Sequence, residues 1–223
     1  SAIGIRYNVT GFASAFGYHP GSGRNWITGN ETGVLLVSGR LSGQLLSHNQ
    51  TGVMALQGTQ VGPDHDDWML ANHFLSNDVA VRGDADRVQF NVFRYNETAV
   101  LASGNRQLVA HNVFAQNEIA FRVTGGTGNR FVHNSVYTEG GDGVVVEDGS
   151  ETYVSNNIFF VKGDTSTAIR VLAYDGFYSD HNLFHNLDGA AQYFWVIPFY
   201  DLLDIQADLA RFELNSLGST VVN

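Results

Sequence analysis

A hexapeptide unit, Asn–x–apolar–x–x–Asn, recurs down this chain and restricts it to a stacked architecture. Full copies begin at Asn25, Gln44, Asn72, Asn91, Asn112, Asn134, Asn157 and Asn182, and a partial copy spans Ile3 to Asn8. Their first positions lie 19, 28, 19, 21, 22, 23 and 25 residues apart. So short a period leaves no room for a two-helix repeat, and one unit alone cannot bury its apolar face. Stacking the units does bury it.

The second position of interest follows the second Asn. There a small residue precedes an alternating run, as in Thr32-Gly33-Val34-Leu35-Leu36 and Thr98-Ala99-Val100-Leu101-Ala102. Alternation places Val34, Val53, Val81, Val100 and Phe121 on one face of a strand. A second short strand precedes each first Asn, as in Gln107 to Asn112, where Leu108, Ala110, Asn112 and Phe114 share a parity. Three short strands per repeat predict an all-β, parallel β-helix of about eight to nine coils, which the resemblance given below makes right-handed. The column Ile5, Ile27, Leu46, Phe74, Phe93, Phe114, Val136, Phe159 and Phe184 is its expected core stack. Asn at the bends is expected to pair with Asn of neighbouring coils, which satisfies both amides without water. The Asn-x-Thr sequons at Asn8, Asn30, Asn49 and Asn96 fall in the same repeat column and are explained by it.

Coils are expected over residues 1–187, followed by a capping segment of the same domain over 188–223. In that segment Leu203, Ile205, Leu209 and Phe212 show helical spacing across Asp201 to Glu213. The aromatic run before it, Tyr193-Phe194-Trp195, reads either as cap core or as a sugar-stacking platform. The chain opens inside a repeat, which predicts a mature form or a piece of something longer.

Net charge is −10, which disfavours nucleic acid as a partner and favours cations. There is no Cys, so disulfides and zinc–thiolate sites are excluded. No stretch reaches membrane-spanning length, so no membrane span is expected. Three patterns carry candidate chemistry. The 28-residue step holds Gly62-Pro63-Asp64-His65-Asp66-Asp67-Trp68, a loop whose carboxylates and imidazole suit acid–base work or a divalent ion. Asp64, His65 and Asp66 are the catalytic candidates; Asp66 and Asp67 are the metal candidates, with calcium as the ion. The outward column of the alternating strand contains Arg82, Arg122 and Arg170 on alternate coils, about 10 Å apart, which suits uronate carboxylates. Glu31, Asp78, Glu97 and Glu118 precede the same strands, so a ladder of surface ion pairs is the competing reading. His111, His133 and His181 form a third column, and Asp142, Glu147, Asp148 and Glu151 an acidic patch.

The Asn-x-Phe…Asn-x-x-Gly-Val pattern resembles the right-handed β-helix repeats of the pectin-lyase-like superfamily over residues 3 to 187. That superfamily includes pectate and alginate lyases, polygalacturonases, mannuronan C5-epimerases and NosD-type periplasmic proteins. The loop at Gly62 to Asp67 is loosely similar to the Tyr-Gly-x-Asp-Pro-His segment of the epimerases. It differs in its Pro-Asp-His order and in having Gln60 or Val61 where the family has Tyr. The NosD-type likeness rests on the repeats, without the Met or Cys clusters of a copper site. The resemblance implies an extracytoplasmic location and an acidic polysaccharide partner. It implies a lyase or C5-epimerase in which Arg82 or Arg122 neutralises a uronate carboxylate while the loop removes the C5 proton. The alternatives are a non-catalytic glycan-binding or structural module, and a glycoside hydrolase with two spaced carboxylates.

Overall fold

The computed structural model describes residues 2–7, 15–16, 24–65, 68–209 and 212–221. The chain winds as a right-handed parallel β-helix with three sheets of 10, 8 and 9 strands, named first, second and third in chain order. One coil shows the plan: Thr98–Ala102 lies in the first sheet, Leu108–Ala110 in the second and Val113–Ala115 in the third. Eight such triplets run from Ile3–Tyr7 to Leu183–Leu187.

The hexapeptide spacing now has a geometric cause. Asn91 ends one bend, Val92–Arg94 is a three-residue strand, and Tyr95 is left-handed at φ 55° before Asn96 ends the next bend. The same left-handed residue precedes Asn112, Asn134 and Asn182, at His111, His133 and His181. At most bends on either side of the third sheet, one left-handed residue is followed by one inward Asn or Gln. Two amide ladders result. Asn72 Nδ2 donates to Asn91 Oδ1 at 3.0 Å, and Asn91, Asn112, Asn134, Asn157 and Asn182 continue the series. At the other bend Asn30, Asn49, Asn77, Asn96 and Asn117 do the same. Asn49 and Asn96 are each 1% exposed, so these two sequons are ladder members and cannot be reached for glycosylation. Asn8 lies outside the described residues.

The core column is continuous from Ile27 to Phe184 and every member is buried. Phe74, Phe93 and Phe114 stack at 4.8 and 4.9 Å, close to the strand spacing. Ile5 is the exception. It pairs with Val34 in the first sheet, so it heads the other inward column. The parity expected from Leu108 through Asn112 also fails. Val109, not Leu108, is fully buried, because the left-handed bend at His111 resets which residues face inward.

Winding continues past 187. Ala191–Trp195 is the ninth parallel strand of the first sheet, and Leu217–Val221 pairs in parallel with Leu183–Leu187 in the third. The helix occupies Leu202–Leu209. Asp201 caps it, its Oδ1 accepting from Leu203 N at 2.7 Å. Leu202 and Ile205 are buried, whereas Leu203 faces solvent, away from the expected apolar stripe. Tyr193 is fully buried, and Trp195 packs against Phe177 and Phe212, so this aromatic run is cap core.

Candidate functional site

The register aligns the outward column of the first sheet as read from sequence: Leu35, Met54, Arg82, Leu101, Arg122, Val145 and Arg170. Two of its three arginines are already paired. Glu147 holds Arg122 Nη2 at 2.8 and 3.0 Å. Asp142 holds Arg170 Nε at 2.7 Å and Nη2 at 3.2 Å, and the guanidinium lies 4.8 Å from the Phe194 ring centre. Arg82 is exposed and forms no ion pair among the described residues. Neither partner is Glu31, Asp78, Glu97 or Glu118, so the column holds two separate ion pairs and not the ladder expected from those four.

The long step leaves the coil at the bend between the second-sheet strand Thr59–Val61 and the third-sheet strand His73–Leu75. That corner lies across the solenoid from the first sheet, so Asp64 and His65 are not brought to Arg82 or Arg122. Instead the loop is strapped to the second sheet. Asp64 pairs with Arg40, and its Oδ1 accepts from Gln60 Nε2 at 3.1 Å. Gln60 and Gln89 also donate to the Pro63 carbonyl, at 3.0 and 2.9 Å. Asp64 and His65 are exposed; Asp66 and Asp67 lie outside the described residues. Among the described residues no group of three or more His, Asp or Glu is placed to hold a metal ion. In the histidine column, His111 stacks on His133 at 5.0 Å and on Phe90 at 4.9 Å, a continuous pile of rings along the bend.

The loop abuts a second column, one that alternation along the sequence does not reveal. Arg40, Gln60, Arg87, Leu108, Arg130, Tyr153 and Tyr178 are in register on the outer face of the second sheet. Beside it, Arg87, Arg106 and Arg130 line a groove of about 730 Å³ with Gln57, Asp86, Asn105 and Thr127. All three arginines are exposed and none forms an ion pair among the described residues. Asp86 is turned to the Gly58 amide, at 2.9 Å. Arg87 and Arg130 are two coils apart, about 10 Å on the strand spacing. On a chain of net charge −10, three unpaired guanidinium groups in one groove favour an anionic ligand. Tyr153 and Tyr178, with ring centres 6.0 Å apart, extend the column with two partly exposed aromatic faces. A signal for this column was present: its members Arg40, Arg87, Leu108, Arg130, Tyr153 and Tyr178 each stand four residues before a ladder Asn or Gln.

The one carboxyl that burial raises, among the described residues, is structural. Glu213 is fully buried in the cap, where Ser179, Ser216 and Tyr193 hydroxyls and Asn182 Nδ2 donate to it and end the first amide ladder. Burial raises it above its ordinary 4.5, outweighing those hydrogen bonds. The folded chain thus retains this proton to higher pH than the unfolded chain does. The stability it contributes is complete below 4.5 and falls as pH rises through the folded value. Nearby Asp180 has the opposite sign: hydrogen bonds from Asn215 and His181 overcome its burial and lower it. Glu213→Gln is therefore expected to flatten the loss of stability as pH rises above 4.5 through the neutral range. Denaturation midpoints across that range test this, and a slope equal to that of the unaltered chain refutes it.

Residues 70–195 match the family described as right handed beta helix region. No curated protein matches the chain. No solved structure matches it.

Proposed function

Since the chain belongs to the right-handed β-helix family, we propose that it is a polysaccharide-binding β-helix whose ligand is an acidic, uronate-type glycan lying along the second sheet. The observation that carries this reading is the groove of Arg87, Arg106 and Arg130, three unpaired cations on an acidic chain. A glycan running along the solenoid axis presents carboxylates to Arg87 and Arg130, and each guanidinium offers a fork of donors to a carboxylate. Tyr153 and Tyr178 offer apolar faces to sugar rings further along. A polymer of this kind places the protein outside the cytoplasm.

The test is binding of polygalacturonate, alginate and a neutral glucan by calorimetry. The acidic polymers should bind and the neutral one should not, with affinity falling as salt rises. Arg87→Ala/Arg130→Ala should weaken binding about 100-fold, near 2.8 kcal/mol. Equal affinity in the double variant, or no binding by the unaltered chain, overturns the reading.

A second, catalytic reading is favoured by one fact: the Asp64–His65 loop sits at the head of this same column, one strand from Arg87. There Arg87 neutralises a uronate carboxylate, which acidifies the C5 proton, and His65 removes it. Loss of the C4 leaving group makes a lyase; return of a proton from the opposite face makes an epimerase. Absorbance of unsaturated ends and the uronate epimer ratio, with and without calcium, decide it. Turnover abolished by His65→Ala supports catalysis, and binding without turnover leaves a recognition module.

A further inference from the structure

The three arginines of the groove are staggered, and the stagger follows from the bends. Arg87, Leu108 and Arg130 stand in one row of the second sheet on three successive coils. The middle coil has no cation in that row. Its arginine, Arg106, comes two residues earlier, at a left-handed bend with φ 57°. Arg106 is thus offset toward the first sheet, yet it lines the same groove. Backbone bonds carry its position from coil to coil: Arg106 N donates to Thr127 O at 2.8 Å, and Gly128 N donates to Ser150 O at 3.1 Å. Gly128, which follows Arg106 in this side column, leaves its coil bare there; a Cβ would stand 3.2 Å from Arg106 Cγ. One coil further the side column reaches Glu151, an exposed carboxylate that accepts from Thr127 Oγ1 at 3.2 Å. Along the axis the charges therefore run row cation, side cation, row cation, side anion. At the opposite end, the coil before Arg87 sets Gln60 in the row, with the Asp64 carboxylate on it at 3.1 Å and Arg40 paired to Asp64.

We propose that the groove takes three consecutive uronates of an extended 1→4-linked block, and that Glu151 sets this limit. One coil advances about 4.8 Å, close to one sugar residue of an extended chain, so each residue faces one coil. In a ribbon of this kind each residue is turned half a revolution from the last, and successive carboxylates leave by opposite edges. The first and third then meet Arg87 and Arg130, and the second meets Arg106, each as a charge-assisted pair. Leu108 lies under the middle residue, where no charge is needed. A fourth uronate directs its carboxylate to the side held by Glu151, and like charges set together oppose binding. Extension the other way meets Asp64. An uncharged residue in the fourth place has no such barrier and reaches Tyr153. This limit, which rests on the groove being a glycan site, distinguishes a uronate block from a chain that alternates with neutral sugars, because alternation leaves Arg106 without a carboxylate.

Calorimetric titration with oligogalacturonates and oligoguluronates of one to six residues, at one fixed salt concentration, tests this. Affinity should rise about 10-fold with each residue up to three, near 1.4 kcal/mol a step, and no further from three to six. Arg106→Ala should weaken the trimer about 10-fold. Glu151→Gln should leave the trimer unchanged and let the tetramer bind about 10-fold more tightly than the trimer, since the amide oxygen still accepts from Thr127 while the charge is gone. Arg106 and Glu151 are both exposed, so the variants should fold, with unchanged circular dichroism. An equal gain at the fourth residue in the unaltered chain, a Glu151→Gln chain without that gain, or an Arg106→Ala chain that holds the trimer as tightly as before overturns the limit and leaves the glycan reading standing. Failure of every acidic oligomer and polymer to bind overturns both.

Discussion

Asn112→Ala is expected to destabilise the solenoid by about 4 kcal/mol. The side chain is 1% exposed and makes four hydrogen bonds. Its Oδ1 accepts from Asn91 N at 2.9 Å and from Asn91 Nδ2 at 3.1 Å. Its Nδ2 donates to Val88 O at 2.9 Å and to Asn134 Oδ1 at 3.1 Å. Alanine takes the Oδ1 acceptor from the Asn91 backbone amide and removes one bond each from Asn91 Nδ2, Val88 O and Asn134 Oδ1, in three successive coils. Each unmade bond of this kind costs about 1–3 kcal/mol. Asn112→Asp should be comparably harmful, because a carboxylate cannot donate to Val88 O or Asn134 Oδ1 and adds a buried charge. Urea denaturation of the three proteins checks this. A loss below about 1.5 kcal/mol would mean that neighbouring amides re-pair across the gap.

The same ladder explains which parts of the fold are legible in the sequence. Translation down a solenoid repeats each environment, so Arg82, Leu101 and Arg122 can be aligned by counting residues, and the register agrees. Counting fails where the backbone turns. The left-handed residue at His111 shifts the inward parity between the second and third strands, and no alternation rule anticipates it. Ile5 is misplaced for a related reason: a partial copy has too few anchors to tell one inward column from another. The site is half legible. The loop at Asp64 is visible as an anomaly in spacing, but its direction depends on which bend it leaves. Sequence alone pairs it with the first-sheet arginines, whereas Gln60 and Gln89 tie it to the second sheet. Arg87 and Arg130 stay hidden because a three-residue strand shows no alternation, only its distance from the ladder Asn.

Gly62→Ala is expected to cost about 3–5 kcal/mol and to displace the Asp64–His65 loop. Gly62 is where the long step departs from the coil, at φ 112°, a conformation that L-residues avoid. A Cβ there would lie 1.7 Å from the Gln89 carbonyl oxygen and 3.0 Å from Asn91 Nδ2. The closest clash is with backbone, so no side-chain rotation relieves it. The Gln89 carbonyl also accepts from Asn91 Nδ2 at 2.9 Å, so moving it disturbs the ladder as well as the loop. Gly58 separates strain from clash. It too is left-handed, at φ 82°, but nothing lies within 4 Å of where its Cβ would stand, so Gly58→Ala should cost only about 1 kcal/mol. Denaturation of the two variants, with limited proteolysis to report on the loop, distinguishes the causes. Equal losses would show that backbone conformation alone matters at these glycines and that the contact between Gly62 and Gln89 is not what holds the loop against the second sheet.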